Sequence, residues 1–165
     1  TSTGYYVRKY LPEEVQNNTS AQAYHDWIYF RLAEMYLNYA EALNEAEGPT
    51  AAVYAALNTV RARSGVMNLP AGLTQDQMRE RIMNERAIEL AFEEHRWWDA
   101  RRWKKGAEWF GGEMYEMYIE KDAEGNLTYT KKPFETRVYR DYMDLYPIPI
   151  SEMNKNPLFQ QNPGW

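Results

Sequence analysis

Glu85, Glu89 and Glu93 recur every four residues, a spacing that stacks three carboxylates on one face of a helix. Paired carboxylates are the tools of glycoside hydrolysis, one acting as acid and the other as base or nucleophile. Glu89 with Glu93, and Glu93 with Glu94, are the pairs this chain offers. The same run holds Arg86, Arg96, Asp99 and Arg102, close enough in sequence to neutralise them. A guanidinium nearby keeps a carboxylate ionised, which suits structure better than proton donation. Ile82, Ile88, Phe92, Trp97 and Trp98 are interleaved with these charges. So many large apolar groups among so many ions fit a helix whose Arg and Glu bridge neighbouring helices as paired, hydrogen-bonded groups. The run reads as scaffold with no catalytic residue, and Trp97, Trp98 and Trp103 read as core packing.

Other site chemistries find little footing. His25 beside Asp26 and His95 beside Glu94 are the two histidine positions. Neither has the His-x-x-x-His or Glu-x-x-His spacing that converges ligands on one metal from a helix. No metal residue and no cofactor are therefore assigned. Asp122, Glu124 and Asn126 supply oxygen ligands in a glycine-containing turn, the raw material of a calcium loop. The stretch is too short for an EF-hand and lacks its closing Glu, and turn chemistry accounts for the same residues. Gly111 and Gly112 alone do not make a phosphate cradle.

Aromatic platforms are the remaining possibility. A sugar ring has one face of C–H groups that stacks on Trp or Tyr while flanking polar side chains bond its hydroxyls. Trp109, Tyr115, Tyr118 and Tyr129 lie in a non-helical insert, where exposed rings are useful. Trp109, Tyr115 and Tyr118 are the candidate ligand contacts. Packing of the insert against the helices is the competing account of the same rings.

The elements that would carry these residues are mostly helices. Over residues 26–47, Ile28, Leu32, Met35, Tyr36, Tyr39 and Leu43 step at three and four residues and predict an inward face. Arg31, Glu34, Asn38, Glu41 and Glu45 form a polar line, and Gly48-Pro49 ends the helix. A second helix over 50–64 places Val53, Leu57 and Val60 inward, with Gly65 suited to the left-handed position after it. Helices joined by so few residues pack antiparallel. Thr74 with Gln77 has capping-box spacing and starts a third helix that runs to about residue 96. A turn or short helix then reaches residue 106. Residues 5–10 read as a short strand and 11–23 as a loop. The segments 115–119 and 127–130 flank the Asp122–Asn126 turn as a possible β-hairpin, and residues 147–165 form an extended tail across the helices with one helical turn near 151–155. The fold class is mainly α, helical hairpins over 26–106 in the plan of tetratricopeptide-like repeats but without their consensus, an irregular aromatic-rich insert over 107–146 and an extended tail over 147–165, all in one domain.

Composition narrows the classes further. A chain of 165 residues can bury a moderate core. Its net charge of −5 argues against general nucleic-acid binding, which wants a basic footprint. The absence of cysteine excludes disulfides, thiolate catalysis and cysteine-ligated zinc within these residues. Aromatics make up 15% of the chain, with 14 Tyr and 6 Trp, a surplus that suits either a stacking surface or ring-packed helix pairs.

Four stretches, in order, carry a family resemblance. Glu85 to Trp103 resembles the Glu-Arg-x-x-Glu-Leu-x-x-Glu-x-x-Arg-Trp-x-Asp-x-x-Arg-Trp signature of the SusD/RagB family. Arg31 to Ala42 resembles its Arg-Leu-Ala-Glu helix, and Leu57 to Gly65 resembles the end of another. Pro147 to Glu152, with Asn156-Pro157 and Gln161 to Trp165, resembles its C-terminal tail. The resemblance implies a surface lipoprotein of Bacteroidota that binds an oligosaccharide or other small nutrient at the outer membrane. It further implies hand-over to a SusC-like TonB-dependent transporter, without bond cleavage. A free-standing member is several times longer and is anchored through an N-terminal Cys absent from this chain. The chain is thus expected to be a C-terminal portion, partnered by an N-terminal part of the same protein. No ligand contact carries over, because the matched motifs are scaffold in the family. A helical-repeat module that binds protein and a glycan-active hydrolase are the alternative readings.

Overall fold

The computed structural model describes residues 7–11 and 26–165. Two compact units emerge, one carrying the described residues 26–96 and the other residues 7–11 and 97–165. The expected loop over 11–23 and His25 lie outside the described residues, apart from Leu11. Of the expected 5–10 strand, residues 7–10 form no strand. They lead into a turn in which Leu11 N donates to Arg8 O at 3.2 Å.

The first unit contains α1 (Leu32–Glu47), α2 (Ala51–Arg63) and α3 (Gln75–Glu89). This chain is mainly helical, and these are tetratricopeptide-like helices packed about one small core. Leu37 and Ala40 of α1, Val53, Leu57 and Val60 of α2, and Met78 and Ile82 of α3 are all buried in one cluster. The expected inward residues of α2 are thus the observed ones. Gly65 takes its left-handed conformation at φ 69°. The Thr74 box also forms: Gln77 N donates to Thr74 Oγ1 at 3.2 Å and Thr74 N donates to Gln77 Oε1 at 2.9 Å. Two orphan donors at the helix start are thereby satisfied.

α1 departs from its sequence pattern. It begins at Leu32, and residues 26–31 are not helical. Its buried positions are Glu34, Leu37, Ala40 and Asn44, a face turned away from the one predicted. Leu32 (68%), Met35 and Tyr39 are exposed. The helix carries two apolar stripes, and the buried one includes the polar Glu34 and Asn44. Asn44 Nδ2 donates to Gln75 O at 3.1 Å, and Gln75 Nε2 returns a bond to Asn44 O at 2.6 Å. These reciprocal amides tie the end of α1 to the start of α3.

α3 stops at Glu89 and does not continue to residue 96. Phe92 (φ 63°) and Glu94 (φ 65°) both adopt left-handed backbone, so the helix cannot propagate through them. α4 (His95–Arg102) follows, and α5 (Gly106–Phe110) lies in the second unit. There, β1 (Gly112–Lys121) pairs antiparallel with β2 (Leu127–Arg137), a hairpin longer than its turn signals predicted. The register is Tyr118 opposite Thr130 and Met117 opposite Lys131, and a bulge next to Met114 leaves Phe134 unpaired. A 3₁₀ turn at Asp141–Asp144 and α6 (Ile150–Met153) complete the chain.

Candidate functional site

The acidic run resolves into ion pairs within the first unit. Arg31, the residue before α1, donates through Nε to Glu93 Oε2 at 2.6 Å and through Nη1 to Glu89 Oε1 at 2.5 Å. Its Nη2 donates to the Glu89 carbonyl at 2.6 Å. Arg63 at the end of α2 takes Glu89 from another side, with Nη2 2.7 and 2.9 Å from its two oxygens. Arg61 Nη1 donates to Glu85 Oε2 at 2.6 Å, and its Nε donates to Met67 O. The neutralising guanidinium groups thus include Arg31 before α1 and Arg61 and Arg63 of α2, so Arg and Glu bridge neighbouring helices as expected, with partners from beyond the run itself. Glu89 and Glu93 side chains are only 7% and 5% exposed. Burial alone lowers the Arg31 pKa, but hydrogen bonds and Coulomb attraction from Glu93 and Glu89 outweigh it and hold the group above its ordinary value. Carboxylates so engaged act as fastenings between helices.

His95 faces inward at the start of α4, its Nε2 3.8 Å from Glu34 Oε2, and Glu34 is buried. Among the described residues no three His, Asp or Glu side chains converge as a metal site. At the hairpin tip the Asp122 carboxylate is occupied by its own turn. Asn126 N donates to Oδ1 at 2.7 Å and Asn126 Nδ2 donates to Oδ2 at 2.9 Å. The Asn126 side chain, then its backbone N–H, pull the Asp122 pKa below its ordinary value.

The three candidate aromatics are not brought together. Trp109 sits on α5, edge-on to Trp103 with ring centroids 5.9 Å apart, and its Nε1 donates to Glu108 Oε1 at 3.2 Å. Tyr115 and Tyr118 lie three residues apart on β1 and so point to opposite faces of the hairpin. A lysine covers each ring from the facing strand: Lys131 Nζ is 3.8 Å from the Tyr115 centroid and Lys132 Nζ 3.4 Å from that of Tyr118. Tyr115 OH also donates to Glu113 Oε2 at 2.8 Å. That hydrogen bond, first, raises the Tyr115 pKa.

A larger concavity lies elsewhere in the second unit. Trp98, expected in the core, is 57% exposed and lines a groove of about 1060 Å³ with Arg101, Arg102, Lys104, Asp141 and Tyr146. Trp98 and Tyr146 meet at a 59° tilt with centroids 6.1 Å apart. Trp97, also expected in the core, is exposed as well, though it stacks on Phe110 at 5.3 Å and donates its Nε1 to Tyr146 OH at 2.7 Å. Arg101, itself buried, lies 3.9 Å over the Tyr146 ring. The groove was not legible in the sequence, because nothing in the Trp97-Trp98 pair says which ring faces out. Tyr146, 44 residues beyond α4, carried no helical spacing to connect it.

The family model for the SusD family matches residues 1–165. The chain belongs to the SusD family. SusD-like protein P2 of Formosa agariphila is 36% identical over 156 residues, 90% of this chain and 28% of that protein. SusD-like protein P25 of the same organism is 32% identical across 95% of this chain and 27% of its own length. The chain therefore spans roughly a quarter of the length of these relatives. Among solved structures, a SusD-like protein from Bacteroides fragilis superposes with a TM-score of 0.70 at 34% identity, covering 86% of this chain and 26% of that one. A SusD homologue from Bacteroides thetaiotaomicron gives 0.62 at 28% identity, covering 93% and 30%. In this SusD-family chain the Glu-Arg signature and the Arg31 helix are the two halves of one ion-pair network.

Proposed function

We propose that this SusD-family chain belongs to a non-catalytic nutrient-binding protein of the bacterial cell surface. In this reading the whole protein is held at the outer membrane by a lipid on a cysteine outside the present residues. It binds an oligosaccharide and passes it to a SusC-like TonB-dependent transporter. The observation that carries the reading is the family match along residues 1–165. Binding without cleavage is supported by the ion pairs. A general acid must hold its proton near neutral pH, and Glu89 and Glu93 are instead engaged by Arg31, with Arg63 also on Glu89. An N-terminal portion contributes ligand contacts of its own. Trp109, Tyr115 and Tyr118 are the proposed candidates for contacts from the present chain, and because Tyr115 and Tyr118 face opposite ways only one of those two meets a given ligand.

The reading as a protein-binding helical repeat draws on one observation, the exposed stripe of Leu32, Met35 and Tyr39 on α1. A stacked repeat covers such a face. One experiment separates these readings. The full-length protein is applied to a glycan array, its strongest ligand is taken to calorimetry, and a labelled form of that ligand is incubated with the protein. Binding without new products is expected, together with co-purification of the transporter from membranes. Turnover abolished by Glu93→Gln would establish the hydrolase instead. Capture of a protein partner with no glycan bound would establish the repeat module.

A further inference from the structure

We propose that the groove between α4 and the Asp141–Tyr146 segment is a subsite for an uncharged sugar ring, with Trp98 and Tyr146 as its stacking wall. The proposal rests on the glycan-binding reading above and goes further by fixing the place, the residues and the ligand class. Within this chain Trp98 and Tyr146 are 57% and 51% exposed and their rings are in contact. Their 59° tilt makes an angled wall against which the C–H face of one ring and the edge of the next can both rest. The volume of about 1060 Å³ stands at the upper end of the range of about 300–1,000 Å³ for pockets that enclose small ligands.

Charge selects the ligand class. Lys104 and Asp141 both line the groove and are exposed, and neither has a salt bridge among the described residues. One supplies donors and the other acceptors, so the rim is matched to hydroxyl groups, which do both. An anion would meet Asp141 and a cation would meet Lys104. A neutral polyol meets neither penalty.

The wall is also held in place before any ligand arrives. Tyr146 is fixed at its hydroxyl by Trp97 and under its ring by Arg101. Its carbonyl accepts from Asn162 Nδ2 at 2.6 Å, and the neighbouring Leu145 carbonyl accepts from Trp165 Nε1 at 3.0 Å. Tyr139 OH donates to Asp144 Oδ1 at 2.9 Å. A site so braced loses little conformational freedom on binding.

The test uses the full-length protein and the strongest neutral oligosaccharide found on a glycan array. Trp98→Ala is expected to weaken its binding about tenfold or more, Trp98→Phe to stay within about threefold, and Asp141→Asn to weaken it about threefold. Oxidative footprinting of the unsubstituted protein provides a second measurement that needs no variant, and the oligosaccharide should protect Trp98. If no glycan binds, the glycan-binding reading fails and the subsite fails with it. If a glycan binds while Trp98 stays unprotected and Trp98→Ala binds normally, the subsite alone is overturned. Protection of Trp98 by peptides and not by sugars would also overturn it.

Discussion

Arg31→Met removes one guanidinium and five donors while keeping a long apolar stem, so it isolates the ionic role of that residue. In the folded chain Arg31 makes two ion pairs and one bond to a carbonyl, with Glu89 and Glu93. Breaking a buried pair by deleting one partner costs about 3–5 kcal/mol, because a charge is left buried. Two features reduce that here. The Arg31 side chain is 23% exposed, and Arg63 still holds Glu89. A loss of about 2–4 kcal/mol is therefore expected. For a chain of this size that corresponds to a fall in Tm of about 4–16 °C. Urea unfolding followed by circular dichroism measures it directly. Adding Glu93→Gln should recover part of the loss, and the cycle should give a coupling of about 0.5–3 kcal/mol. The Arg31 pKa is raised on folding, so its own contribution is lost only as pH rises beyond the ordinary arginine range and stays constant across neutral pH. A loss under about 0.5 kcal/mol is the range of a surface bridge and would refute the view of this network as the fastening between α1, α2 and α3.

Further outcomes follow from the second unit. Gly106→Ala would drive a Cβ into the Tyr139 ring, so that ring must shift. A cost of about 1–3 kcal/mol is expected in the urea midpoint, the usual price of overpacking. The Asp122 carboxyl is held below its ordinary value of 3.8 by Asn126, so its support of the hairpin turn is present above that value and lost as pH falls below it. The protection of the Asn126 amide relative to its intrinsic exchange rate should accordingly fall as pH drops below the ordinary carboxylate range, measured by NMR, and Asp122→Ala should remove that fall in protection. Because Tyr115 and Tyr118 face opposite ways, a glycan held on one face can feel only one of them. Only one of the two alanine variants should weaken binding by calorimetry, and the double variant should match it.

Several elements were legible in advance because their causes are local. The Thr74 and Gln77 box, Gly65 after α2, the inward triplet Val53, Leu57 and Val60, and the Asp122–Asn126 turn each depend on residues a few positions apart. The break after Glu89 was not legible. Phe92 and Glu94 have no intrinsic liking for left-handed backbone, so nothing in their residue types signals it. The face of α1 was misjudged because two apolar stripes compete. Periodicity counts apolar residues and cannot tell which stripe meets α2 and α3.

Residue order alone settled that this chain carries successive helices ahead of its aromatic-rich insert, has no thiol among its residues, and is rich in Glu and Arg that must be paired. Charge neutralisation is required wherever such groups are buried. Which Arg serves which Glu was decided in three dimensions, since Arg31 lies 58 and 62 residues from its partners. So was the outward turn of Trp98 and its meeting with Tyr146. Helix and strand periods assign a side chain to a face, but only the packing of distant segments determines whether that face is covered. The candidate sugar wall is a consequence of that packing.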